Sequence, residues 1–254
     1  MSATTTTSLR DYALALGDDA LVLAQRCGQW ITRAPQLEED VALANIGLDL
    51  LGQGRALLDY AGQVEGDGRG EDELAYLRDA EDFRNVRLVE LDNGDFAVSM
   101  ARLLAFSTYQ LGLYTALSES SDELISGVAA KAVKEVTYHV DHAAEWVLRL
   151  GDGTDESHRR MQSGLELVWP YVPELFDASE MDADLLASGV AVDPSTLYES
   201  WHTTVLDVLT RATLTEPVQA PDPARGRRGE HSPALTELLH EMQGLHREHP
   251  GATW

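Results

Sequence analysis

Residues 39–64 read EDVALANIGLDLLGQGRALLDYAGQV, and the apolar residues of this stretch recur with the period of an α-helix. Ile46, Leu50, Leu57 and Leu58 define one apolar stripe along that helix. The acidic run at its start suits the positive end of a helix dipole, and a glycine-rich run follows its last residue. The stretch therefore predicts a helix of about seven turns.

The same helical period extends over most of the remaining chain. It predicts three further long helices and three accessory ones, with turn residues between them. The long helices are predicted at about 9–31, 96–118 and 123–150, and the accessory helices at about 157–174, 194–214 and 232–249. Alternating, β-rich segments do not recur along the sequence. The predicted fold class is therefore all-α.

The lengths of the connections predict how the long helices are arranged. A short turn around Pro35 joins the first pair, and a short turn around Ser120 joins the second pair. About thirty residues, 65–95, separate the two pairs. This order is typical of a ferritin-like four-helix bundle with one long crossover and, here, additional C-terminal helices. The expected boundaries are 9–254 for a single ferritin-like domain, about 9–150 for its core bundle and about 155–249 for its accessory helices.

The charge of the chain excludes several classes of function. Its 254 residues carry a formal net charge of −24, which nucleic acids and anionic membrane surfaces repel. The single cysteine, Cys27, cannot form an internal disulfide, and this suits a reducing cytosol. The longest uncharged stretch, 103–118, is shorter than the ~20 residues of a membrane-spanning helix. We therefore expect a cytoplasmic protein with no nucleic-acid or membrane partner.

Ferritin-like bundles often hold two metal ions through one Glu on each of two helices and Glu-x-x-His on each of the other two. The first histidine of this chain is His139, so its first three long helices contain none. The third long helix has no Asp, Glu or His between Phe96 and Ser118, and the first offers Asp18 and Asp19 but no glutamate. The ligand set cannot be assembled, so we expect no metal cofactor in this chain.

The fourth long helix carries a partial ligand set. Glu135, His139, His142 and Glu145 fit either a weak metal site or an internal Glu–His contact. We prefer the second interpretation because no other helix offers matching ligands.

Two pairs elsewhere have the literal Glu-x-x-His spacing, Glu199/His202 and Glu237/His240. Chance matches are expected in a chain this rich in acids. Because Glu237 and its acidic neighbours lie off the apolar stripe of the last helix, we expect His240 to be exposed.

A polar stripe on the second long helix is a candidate to take the place of the metal ions in the bundle. Asn45, Asp49 and Gln53 recur every four residues among apolar neighbours, and a buried carboxylate requires a partner. One hypothesis is that Asp49 faces inward and pairs with a cation in the volume that a di-iron centre occupies elsewhere; the alternative is that it faces solvent. The residues expected in this polar core are the three above with Lys131, Lys134 and Glu135, and Arg26 is a further candidate cation.

Two other features allow two interpretations each. The proline- and arginine-rich arm at 217–228 is either a surface loop or a segment that becomes ordered on a partner. Trp169, Trp201 and Trp254 either line a site or belong to the core.

The segment Asp40–Arg55 resembles the structural subunit, lettered C, of the phenylacetyl-CoA 1,2-epoxidases, which are also called phenylacetate-CoA oxygenases. The resemblance covers nearly the whole chain from about Arg10. Further similar segments are Asn93–Ala97, Lys134–His139, Leu148–Thr154, Leu167–Phe176, Ala191–Pro194 and Pro250–Trp254.

This resemblance implies a ferritin-like fold and a place in the ring 1,2-epoxidation of phenylacetyl-CoA during aerobic phenylacetate degradation. It implies a non-catalytic subunit of a hetero-oligomer that stabilises a related di-iron catalytic subunit. Small and reductase subunits are further candidate partners, and a homodimer is the candidate state of the chain alone. The competing hypotheses are an independent ferritin-like, metal-dependent oxygenase and a homo-oligomeric binding protein.

Overall fold

The computed structural model describes residues 3–252, with side chains from residue 6 onward, and every regular element in that part of the chain is helical. Trp254, one of the candidate lining residues, lies outside the described residues. The long helices are α1 (Ala3–Gly28), α2 (Leu37–Glu65), α5 (Phe96–Leu117) and α6 (Glu123–Gly151). The shorter helices are α3 (Glu71–Tyr76), α4 (Arg87–Glu90), α7 (Asp155–Val168), α8 (Ala183–Ala187), α9 (Tyr198–Arg211) and α10 (Pro233–Glu248). Short 3₁₀ segments occur at Ala80–Asp82, Trp169–Phe176, Pro194–Leu197 and Gly226–Arg228.

The predicted long helices are confirmed, and the differences lie at their ends and connections. Helix α1 ends at Gly28 rather than Ile31. The long crossover contains two short helices and a 3₁₀ turn, where the sequence indicated one short helix. The predicted accessory helix at 157–174 divides into α7 and a 3₁₀ segment, because Pro170 and Pro173 cannot donate helical hydrogen bonds.

Contacts within the chain define two compact units, residues 1–92 with 224–254 (unit 1) and residues 93–223 (unit 2). Each unit contains one hairpin of long helices, α1/α2 in unit 1 and α5/α6 in unit 2. Helix α10 packs against α3 and α4 in unit 1, and α7 and α9 pack against α5 and α6 in unit 2. The accessory helices are therefore divided between the units, and the single domain at 9–254 stays a prediction.

The α1/α2 hairpin of unit 1 packs closely because glycines lie in its interface. A Cβ atom on Gly54 would lie 3.2 Å from the Gly17 carbonyl oxygen and 3.2 Å from the Leu21 nitrogen. A Cβ atom on Gly47 would lie 3.3 Å from the Cβ of Cys27. From Gly17 to Cys27 along α1, the contact on α2 moves back from Gly54 to Gly47, so the two helices run antiparallel. The glycines of α2 set the short distance between its backbone and α1.

In unit 2, α5 is buried along most of its length, which explains why its sequence carries a single charged residue. Asp95 caps the helix by accepting a hydrogen bond from the Val98 N–H at 3.1 Å. The cation of α5, Arg102, is buried and binds the side-chain oxygen of Asn93. Among the described residues, no helix is both long and apolar enough to cross a membrane.

Two single substitutions on α2 test the close packing. Gly54→Ala is expected to lower the free energy of unfolding by about 1–3 kcal/mol, because its Cβ meets backbone atoms that cannot rotate away. The matched control is Gly52→Ala on the same helix, where a Cβ meets nothing within 4 Å. The free energy of unfolding of this control is expected to rise by up to about 1 kcal/mol, because alanine has a higher helix propensity than glycine. Urea unfolding of both variants measures the difference, and equal changes would contradict the packing argument.

Candidate functional site

Helix α6 carries the four residues that the sequence indicated as a partial metal-ligand set. His139 and His142 are buried, whereas Glu145 is exposed. The Glu135 carboxylate lies 3.5 Å from the ammonium group of Lys131, a residue whose side chain is 76% exposed. All four residues are described by the structure, and no three of their side chains are placed together to hold a metal ion. The internal Glu–His contact stays a prediction.

The two Glu-x-x-His pairs do not converge either. His202 Nε2 lies 2.9 Å from Oε1 of Glu216, and Glu199 is exposed. Glu237 and His240 are both exposed on α10, so the predicted exposure of His240 is confirmed. The spacing is a chance match in both helices, because neither pair brings its glutamate and histidine together at an interior site.

The described residues do not fit a ferritin-like di-iron centre. That centre requires four carboxylates and two histidines facing one point. In the part of the chain that the structure describes, no group of three or more His, Cys, Asp or Glu side chains is placed to hold a metal ion.

The polar stripe of α2 turns around the helix. Each four-residue step advances the position by about 40°, because a helix has about 3.6 residues per turn. Asn45 is accordingly exposed, Asp49 is half-buried and Gln53 is buried. Lys131 and Lys134 are exposed on α6 rather than interior. The pairing of Asp49 with a cation stays a prediction.

The further candidate cation, Arg26, is buried in unit 1. Its guanidinium donates to the carbonyl oxygen of Glu90 at 2.6 Å and lies 3.2 Å from the Asp92 carboxylate. Burial lowers the pKa of Arg26, and the carboxylates of Asp92 and Glu90 oppose that change. Arg26 thus joins α1 to the crossover.

The acids that unit 1 buries most completely include Asp18 and Asp19 of α1. Arg78 binds both oxygens of Asp18, with Nη1 at 3.0 Å from Oδ2 and Nη2 on Oδ1. The N–H of Arg84 donates to the same carboxylate at 2.8 Å. The guanidinium of Arg78 also lies 4.2 Å from the ring centroid of Phe83. Asp18 therefore fixes the crossover between α2 and α5 onto α1.

Asp19 binds the crossover and the C-terminal arm together. Its Oδ1 accepts a hydrogen bond from the Val86 N–H at 2.8 Å, and its Oδ2 accepts one from Nη2 of Arg227 at 2.6 Å. Burial raises the pKa of Asp19, and Arg227 and the Val86 N–H oppose that rise. Arg227, near the end of the predicted arm, is therefore ordered by a carboxylate of its own chain.

A third buried carboxylate, Glu90 of α4, binds the short segment between the arm and α10. His231 Nδ1 lies 2.7 Å from its Oε2, and the Ser232 N–H donates to Oε1 at 2.7 Å. Burial alone would raise the pKa of Glu90, but the hydrogen bonds from His231 and Ser232 outweigh it, so this pKa is lowered. A lowered carboxyl pKa contributes stability above about pH 4.3, and that stability is lost as the pH falls through the folded-state pKa.

The exposed surface of unit 1 contains an apolar face on α2. Leu37, Val41, Leu48 and Leu51 are 74%, 54%, 64% and 37% exposed. Their separations of four, seven and three residues place them on one side of the helix. Gly52, where a Cβ would meet nothing within 4 Å, extends this face. We call this set the α2 face. Exposed apolar side chains grouped on one side of a helix are typical of interaction surfaces.

Arg227→Met is expected to lower the free energy of unfolding by about 3 kcal/mol, because the buried Asp19 carboxylate loses its cation. The variant also raises the pKa of Asp19 further above its unfolded value. A raised carboxyl pKa favours the folded state at low pH, and this advantage is lost as the pH rises, so the loss should be larger at about pH 8 than at about pH 5.5.

Urea unfolding at both pH values measures this loss. Arg228→Met is the matched control, since the Arg228 side chain is exposed, and it should change the free energy by less than about 0.5 kcal/mol. Equal losses in the two variants, or a loss that does not depend on pH, would refute the role given to the Asp19–Arg227 pair.

Comparison with known proteins agrees with the resemblance and fold class predicted from the sequence. The family model described as "Phenylacetic acid catabolic protein" matches residues 1–254. A relative from Escherichia coli (strain K12), by its name the C subunit of 1,2-phenylacetyl-CoA epoxidase, is 45% identical over 246 residues, which cover 97% of this chain and 99% of the relative. The expected all-α, ferritin-like class is confirmed by the helices and by this match. The chain belongs to the phenylacetic acid catabolic protein family, whose members are ferritin-like helical bundles.

Proposed function

We propose that this chain is the non-catalytic, structural subunit of a phenylacetyl-CoA epoxidase complex. In this role it binds and stabilises a related di-iron catalytic subunit, which performs the ring 1,2-epoxidation during aerobic phenylacetate degradation. The complex works in the cytoplasm, and the small and reductase subunits are its further members. The similarity to the Escherichia coli epoxidase subunit over nearly the full length of both chains supports this assignment.

The α2 face is the observation that carries the proposal. Leu37, Val41, Leu48 and Leu51 extend over about 21 Å of helix, since each residue adds about 1.5 Å. An apolar helix face of this length matches the recognition of a helical groove or helix face on another protein. Val41, Leu48 and Leu51 lie within the segment Asp40–Arg55 that resembles the family, which supports the catalytic subunit as the partner of this face.

The ionisable groups of the chain support a structural rather than a catalytic role. Asp18, Asp19 and Glu90 are each bound by an arginine or a histidine of the same chain. Charges compensated in this way hold segments together and are not available to bind a metal ion. These contacts favour the scaffold over the independent metal-dependent oxygenase.

Net charge favours a different chain over a second copy as the occupant of the α2 face. Two copies would each bring a formal net charge of −24, and like charges repel across an interface. A homodimer of the chain alone is therefore expected to be weaker than the complex with the catalytic subunit.

Co-expression tests the proposed function directly. The catalytic subunit expressed alone is expected to lose solubility or activity, because its apolar flank is exposed, and co-expression with this chain should restore both. Soluble protein, bound iron and epoxidation of phenylacetyl-CoA are measured for each preparation. Full activity of the catalytic subunit alone, or stoichiometric iron in this chain purified by itself, would refute the proposal.

A single substitution tests the α2 face. Leu48→Glu is expected to weaken binding of the catalytic subunit by about tenfold or more, because it removes about 1.5–3 kcal/mol of apolar burial and introduces a charge. Leu77→Glu is the control, since Leu77 is 55% exposed but lies outside the α2 face. Both variants should keep the unfolding midpoint of the wild type, and equal retention of the catalytic subunit by both would disprove the assignment of this face.

A further inference from the structure

Unit 2 contains a cavity of about 300 Å³ that none of the preceding roles uses. Four aromatic side chains and one carboxylate line it: Trp169, Phe176, Tyr198, Trp201 and Glu216. Its volume is at the lower end of the range for small-ligand sites. The sequence allowed either a site or the core for Trp169 and Trp201, and in the structure both line this cavity.

The walls of the cavity are held by contacts among the rings. Trp201 is buried, and its indole N–H donates to the carbonyl oxygen of Ala105 at 2.8 Å. The ring of Phe176 lies 5.2 Å from that of Tyr198 and 5.3 Å from that of Trp201, with steep interplanar angles of 85° and 61°. Such edge-to-face contacts stabilise the cluster, so the cavity does not depend on a ligand to keep its shape.

The carboxylate of Glu216 is held in place at the cavity wall. Its Oε1 lies 2.9 Å from Nε2 of His202. The His202 ring in turn stacks on the ring of Tyr198, with centroids 5.5 Å apart and planes 10° apart. One histidine thus connects the carboxylate to the aromatic wall.

The chemistry of this lining selects a cation. The faces of aromatic rings carry partial negative charge and attract cations within about 6 Å, and the Glu216 carboxylate adds a full negative charge. Anionic ligands are repelled, both by this wall and by a chain of net charge −24.

We propose that the cavity binds the side chain of an arginine from a partner polypeptide. A guanidinium group stacks on aromatic faces and donates N–H hydrogen bonds to a carboxylate, and the cavity offers both kinds of partner. Val172 gives the aliphatic stem an apolar contact.

The cavity is open at the surface, so a side chain of another polypeptide can enter it. Tyr198 is 40% exposed, and Val218, two residues after Glu216, is 99% exposed. A backbone that passes over this rim can insert one side chain and cover the exposed valine. This partner site lies in unit 2, whereas the α2 face lies in unit 1, so each can be tested without the other.

A peptide titration tests the inference with three matched probes. Acetyl-Gly-Arg-Gly-amide, its citrulline analogue and its lysine analogue are added to the folded chain, and tryptophan fluorescence is recorded. The arginine peptide is expected to give a saturable change in the millimolar range. The citrulline peptide, planar but neutral, and the lysine peptide, charged but not planar, should bind about tenfold more weakly.

Two conservative variants assign the binding to the cavity. Glu216→Gln is expected to weaken binding of the arginine peptide by about tenfold, because the side chain loses its charge while it keeps its shape. Glu199→Gln, an exposed position on α9, should leave binding unchanged. The inference is overturned if the arginine peptide gives no saturable change, if citrulline binds equally well, or if Glu216→Gln has no effect. Tighter binding of tetramethylammonium than of the arginine peptide would also overturn it, by assigning the cavity to a small free cation.

Discussion

Two adjacent carboxylates on one buried helix constrain the whole of unit 1. An ionised carboxylate in an apolar interior costs several kcal/mol unless a cation and hydrogen bonds compensate it. Asp18 and Asp19 obtain their cations from Arg78 in the crossover and from Arg227 in the C-terminal arm, 60 and 208 residues away. Neither segment can leave α1 without exposing a buried charge. The pairs therefore fix the path of both segments, whatever their net contribution to stability.

The sequence predicted the long helices because helical periodicity is a local signal. Helices α2, α5 and α6 follow from the spacing of apolar residues within each segment, and short connections predicted their pairing. The crossover and the arm could not be predicted in the same way, because long-range ion pairs hold them. No local sequence pattern around Arg78 or Arg227 predicts which carboxylate that arginine binds. One signal was present nevertheless: Asp18 and Asp19 interrupt the apolar run at 13–24, where every side of the helix is otherwise uncharged.

Some site predictions depended on residue type, and others depended on the spacing of residues along a helix. The expectation that Glu-x-x-His helices could not be assembled rested on residue types, which a fold cannot change. The polar stripe rested on spacing, and spacing fixes a face only over a short distance. Asn45 and Gln53 are eight residues apart, so about 80° of rotation separates them and only Gln53 is buried. The aromatic cavity required tertiary structure, because Trp169 and Glu216 are brought together only by folding.

Helix α2 illustrates why periodicity alone does not distinguish a core from an interface. Its glycines at 47 and 54 face α1, and its leucines at 48 and 51 face outward. Both faces are apolar, so the stripe in the sequence is broader than the fold of this chain requires. A helix that has already buried one face gains no further folding energy from apolar residues on another, and exposed leucines promote association. Because a second copy brings the same net charge of −24, the surplus apolar face supports the proposal that a different chain covers it.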